Sequence, residues 1–145
     1  LDHLLLARVA LSCLCGIQAI ATVAIDFNRT HATNPLWTGH ARFHLVWQSA
    51  TIVFLSALEL LLIWFSGLND TPAFYLALVL AALSPLGFLT AYVSRRRYAG
   101  TLSDPNGIPS ARVRLFGDVR AIDMNLAAVI VAILALIAIL AIYRA

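Results

Sequence analysis

The chain predicts an all-α membrane protein: a single domain over residues 1–145, built as an antiparallel bundle of four transmembrane helices. Three observations carry this. Four apolar stretches, residues 4–25, 43–65, 73–93 and 125–143, each reach the ~20 residues that cover ~30 Å of hydrocarbon. Of the 145 residues, 61% are hydrophobic and 12% charged, against ~25% charged in soluble domains, so four spans leave no length for a soluble catalytic domain. The connections are short enough to set neighbouring spans antiparallel. Lipid offers no partner to an unpaired backbone group, so each stretch must be helical.

The first span, with its continuous Ala and Leu content, reads as a retained helix rather than a cleaved signal. Cys13 and Cys15 lie two apart, ~200° round a helix, and cannot bridge to each other; they read as packing thiols. The second helix is expected to start near Thr38, a capping residue with Pro35 just upstream. Glu59 is the one acidic side chain well inside a span. A lone carboxylate there is costly, and Arg8 enters from the same membrane face, so an intramembrane Arg8–Glu59 ion pair is expected to lock helix one to helix two. In the third span, Ser84-Pro85-Leu86-Gly87 predicts a kink or local unwinding, because proline removes a donor and clashes with the preceding turn. The fourth span has no polar side chain from Leu126 to Leu140, and its alanines allow close approach to a neighbour.

The basic connection 94–124 reads as interfacial. Asp104-Pro105-Asn106-Gly107 signals a turn, and Ser110 to Ile122 mixes arginine with apolar residues as a short surface helix would. Arg95, Arg96, Arg97, Arg112 and Arg114 are expected to meet anionic lipid headgroups, at ~1 kcal/mol per arginine near the surface, and nucleic acid is not the expected partner. With four spans, Arg29, Arg42, Arg95, Arg96, Arg97, Arg112, Arg114 and Arg120 fall on one side, while Arg8 and Arg144 fall on the other. Arginine-rich short loops stay cytoplasmic, so both termini are expected to be extracytoplasmic.

The first connection, 26–42, holds the unusual chemistry. Three of the four histidines, His31, His40 and His44, crowd into it and the helix start beside Asp26, Asn34, Arg42, Trp37 and Trp47. At 100° per residue His40, His44, Gln48 and Thr51 share an arc of ~80°, expected to face the bundle interior as polar residues inside spans do. His40 and His44 at i and i+4 could ligate one metal, with a third ligand from His31, Asp26 or Asp123; Arg42 beside them and the lack of an H-E-x-x-H pattern speak against it. No metal or other cofactor is therefore predicted, with metal or quinone left open. A quinone-like or lipidic headgroup held by His44, Gln48 and Arg42 is one further reading; an interfacial belt of Trp, His and Arg is the bland one.

The run Asn34-Pro35-x-Trp37-x-x-His40-Ala41-Arg42-Phe43-His44 resembles a motif in uncharacterised bacterial four-helix membrane proteins of the DoxX-like group. The resemblance implies a four-helix bundle of the bacterial inner membrane, in a group sometimes associated with thiol, sulfur or quinone redox complexes. Three function classes stay open. Size favours a non-catalytic accessory subunit of a larger membrane complex, working beside other subunits or its own copies. A small enzyme or redox component using His40 and His44 is the second, and an oligomeric transporter the third.

Overall fold

The computed structural model describes residues 2–67, 70–104, 106–115 and 117–145. Pro105 of the expected turn, Phe116 and the side chain of Leu115 lie outside the described residues. Four helices are long and apolar enough to cross a membrane: α1 (His3–Asp26), α2 (Gly39–Phe65), α3 (Thr71–Ser94) and α4 (Met124–Tyr143). Each starts on a side-chain cap that satisfies an otherwise orphaned N–H. Asp2 accepts from Leu4, Thr38 from Ala41, Asp70 from Ala73 and Asp123 from Leu126. The Thr38 cap starts α2 four residues ahead of its apolar stretch, so His40 and Arg42 are helical.

The helices form a ring in which α1 packs on α2 and α4, and α3 packs on α2 and α4. Contacts at the two ends establish the antiparallel order. Arg8, early in α1, reaches the last turn of α2, whereas Ser49 of α2 donates to Asp26 at the end of α1 at 2.7 Å. Tyr143, ending α4, donates to Thr71, starting α3, at 3.2 Å. The result is a multi-pass helical membrane bundle.

Packing is uneven along its length. Ala7, Leu11 and Cys15 of α1, Ile63 of α2, Phe74, Ala77 and Ala81 of α3 and Leu136, Ile139 and Tyr143 of α4 are buried, and all lie in or near the half closest to the chain termini. Alanines on α1 and α3 let the helices approach closely. Phe74 and Tyr143 stack there at 3.8 Å between centroids, with Tyr75 edge-on at 5.7 Å to Tyr143. Toward the arginine-rich end the buried helix residues thin out to Ser49 and Pro85.

The expected local unwinding at Pro85 and the expected surface helix are corrected here. α3 passes through Pro85 as one helix to Ser94 without unwinding, and the proline ring is buried in the bundle. Residues Ser110 to Ile122 do not make a surface helix. Ala111–Leu115 and Asp118–Ile122 pair as an antiparallel hairpin, β1 and β2, with Arg112 opposite Ala121 and Arg114 opposite Val119. Strict alternation of arginine with apolar residues has the period of a strand, and Gly117 supplies the positive φ of 93° at the turn.

Candidate functional site

At the arginine-rich end the connection 27–38 folds against the loop 99–110. Asn28 closes α1: its amide donates to Ala24 O at 3.1 Å and Ile25 O at 2.8 Å, while its carbonyl accepts from Thr30 N–H and hydroxyl at 2.8 and 2.6 Å. Thr30 Oγ1 also sits 2.7 Å from His31 Nδ1. The single hydroxyl proton of Thr30 is directed at Asn28 Oδ1, which leaves its oxygen to accept from His31 Nδ1. Asn34 pins the two loops together. It is 2% exposed, donates to Thr30 O at 3.1 Å and to Asn106 O at 3.0 Å, and accepts from Leu36 N–H at 3.0 Å. Trp37 adds a second tie, its indole N–H donating to Asp104 Oδ2 at 3.1 Å. The turn expected at Asp104–Gly107 closes with Gly107 N–H on Asp104 O at 3.0 Å.

Between these loops and the start of α4 lies a cleft of about 430 Å³, lined among others by His31, Trp37, Asp104, Asp123 and Asn125. His31 meets the Trp37 ring edge-on at 5.3 Å. A smaller cleft of about 220 Å³ adjoins it, sharing Thr101, Leu102 and Asn125 as walls, and includes Arg95. The Arg95 guanidinium stacks 4.1 Å over Tyr92 and donates to Tyr92 O at 2.6 Å. Carboxylates in one cleft and a guanidinium in the next give the groove two signs of charge, with an aromatic wall.

The expected polar residues are thus divided. His31 and Asp123 line the cleft, and Asn34 ties together the two loops beside it. Asp26 does not join them, being the acceptor of Ser49 Oγ. The expectation that His40, His44, Gln48 and Thr51 face the bundle interior is corrected: all four are exposed, on the outer face of α2. The interior stripe is Ser49, Ser56, Glu59 and Ile63, ~100° further round the helix. Arg42 is half-buried and outside that outer stripe, so His44, Gln48 and Arg42 do not enclose a common headgroup pocket. Of the arginines expected at headgroups, Arg95 lines the groove, while Arg96, Arg97, Arg112 and Arg114 are exposed.

The Arg8–Glu59 ion pair is also corrected. Both side chains are buried, at 0% and 2% exposure. Arg8 donates instead to Ile63 O, and to Gly67 O at 2.9 Å, the carbonyls that end α2. Glu59 lies beside the Cys15 thiol, and its Oε2 has no hydrogen-bond partner among the described residues. No ion pair joins Arg8 to Glu59 among the described residues. A guanidinium near a helix C-terminus is drawn to the orphaned carbonyls and to the negative end of the dipole, which supplies the physical reason.

Compared with family models, curated proteins and solved structures, the chain matches none.

Sequence reasoning undervalued Trp37 and Asp104. The Asp-Pro-Asn-Gly turn signal marked Asp104 as a loop former, and nothing local announces that its second oxygen reaches an indole in another loop. Trp37 was legible as an interfacial aromatic, which is also what places it at the mouth of a groove.

Proposed function

We propose that the protein is a non-catalytic accessory subunit of a larger bacterial inner-membrane complex, in the manner of DoxX-like proteins, and that its groove holds the headgroup of a lipid. The observation that carries this reading is the cleft of about 430 Å³ beside Asp104 and Asp123, continuous in its walls with the one beside Arg95. A zwitterionic headgroup has matching chemistry. Its phosphate suits a guanidinium, and its ammonium suits carboxylates with an indole face nearby. A quinone would hydrogen-bond to His31 but leaves the carboxylates without a role. Eight arginines against two favour placing this groove on the cytoplasmic side, with both termini extracytoplasmic. The remaining arginines, including those of the hairpin, then rest on anionic headgroups around it.

Native mass spectrometry after exchange into mixed phosphatidylethanolamine, phosphatidylglycerol and quinone tests the reading. Asp123→Asn keeps the acceptor of the α4 cap while removing charge, and Asp104→Asn removes charge but keeps only one of the two acceptors that serve Trp37 and Asn106. Retained phosphatidylethanolamine should fall in both variants, with phosphatidylglycerol unchanged. Equal retention of the two lipids by the parent chain would refute the amine-headgroup assignment, and selective retention of quinone would replace it.

A further inference from the structure

On the outer face of α2, His40 and His44 bring their Nε2 atoms to 3.0 Å, with ring planes crossed at 88°. One helical turn separates the residues, which is why the rings converge. Bonds of ~2.1 Å from both nitrogens to one ion would subtend ~90°, the angle between adjacent ligands of an octahedral or square-planar site, and opening the pair by ~0.4 Å reaches the tetrahedral angle. Both imidazoles are exposed, so an ion reaches them without any helix moving. Arg42, the nearest cation in sequence, leaves the helix ~200° round from His40.

Among the described residues no three His, Cys, Asp or Glu side chains converge, so one chain offers two ligands. Membrane insertion says where the others come from. Copies with the same topology stand at the same depth and point the same way, so a two-fold axis along the membrane normal sets two His40/His44 pairs at one height. The rest of the face supports a protein neighbour there. Gln48 and Thr51 continue the stripe into the apolar length of α2 and are exposed, and polar side chains at such depth face protein rather than lipid. Thr51 satisfies itself by donating to Trp47 O at 3.0 Å, whereas a Gln48 amide on this face can bond across to its symmetry mate. Phe43, Trp47 and Phe54, at 64%, 60% and 73% exposure, flank the stripe and offer large contact area.

We propose that His40 and His44 bind a divalent transition-metal ion of the zinc, nickel and copper class, and that the same pair from a second copy of the chain completes the site. The proposal is independent of the headgroup groove. It is tested on the full chain in detergent and in lipid nanodiscs, with any oligohistidine tag removed. Zinc is delivered from a chromogenic chelator, and copper or nickel binding is read by quenching of Trp47, whose ring stacks 5.8 Å from His44. Native mass spectrometry counts chains per ion. The expected result is one ion per two chains, metal-dependent dimerisation, and affinity weakened by about tenfold or more in His40→Ala and His44→Ala. Because both positions are exposed, the metal-free helicity and melting temperature of these variants should match the parent. One ion per chain without dimerisation would overturn the second-copy half of the proposal. Absence of saturable binding below about 100 µM, or variants that bind as tightly as the parent, would overturn the site itself.

Discussion

Arg8 ties the start of α1 to the end of α2. Replacing it by glutamine removes a buried guanidinium that donates to the carbonyls of Ile63 and Gly67. Hydrogen bonds to a charged group contribute ~1.5–3 kcal/mol each, so those to Ile63 and Gly67 by themselves set a scale of ~3–6 kcal/mol. Gly67 is exposed and its carbonyl can rehydrate, which places the expected loss at the lower end, about 3 kcal/mol. Reversible unfolding in mixed detergent micelles measures it. The double-mutant cycle with Glu59→Gln is the sharper assay, because the carboxyl lies against Cys15 and keeps one oxygen without a hydrogen-bond partner among the described residues. Glu59→Gln alone should change stability by no more than ~1 kcal/mol, and the coupling between the two sites should stay below ~1 kcal/mol. A coupling above ~2 kcal/mol would show that the two groups do act as an ion pair, and an Arg8→Gln loss under ~1 kcal/mol would show that the carbonyls do not need the guanidinium.

Asn34→Ala removes the donor that ties the 27–38 connection to Asn106 O and the one held by Thr30 O, leaves Leu36 N–H without its acceptor, and keeps only the Trp37–Asp104 tie between the two loops. It should cost about 1–3 kcal/mol and raise amide exchange around Thr101–Ser110 while leaving α1 and α3 protected; unchanged exchange in that loop would refute the pinning role. Reporter fusions at Ala145 and within the loop after α3 should report the C-terminus outside and the loop inside the cytoplasm, and cytoplasmic reporter activity at Ala145 would reverse the arginine argument.

Several features were legible locally. The spans follow from length and apolarity, because a bilayer admits only self-satisfied helices at this size, and Thr38 was readable as the cap that starts α2. The hairpin was legible in principle: Arg112-Val113-Arg114 and Val119-Arg120-Ala121 alternate with period two about Gly117. The charge content drew attention to a surface helix instead, which would have scattered those arginines round its circumference.

By itself the sequence determined that the protein is four antiparallel membrane helices with its arginines gathered at one end. These properties depend on residue type and order along a single chain. Only the tertiary structure decided which way each helix faces. Spacing sets the angle between His40, His44, Gln48 and Thr51 but not the rotation of α2 about its axis, and the stripe of Ser49, Ser56 and Ile63 has equally good helical spacing. The choice falls to packing: Ile63 and Glu59 meet α1 near Arg8 and Cys15, Ser49 meets Asp26 at the other end of α1, and the aromatic and imidazole face stays outside. The same is true of Arg8. Its depth was readable from its position in α1, but its acceptors are backbone carbonyls at the end of another helix, and no side-chain pattern announces a carbonyl.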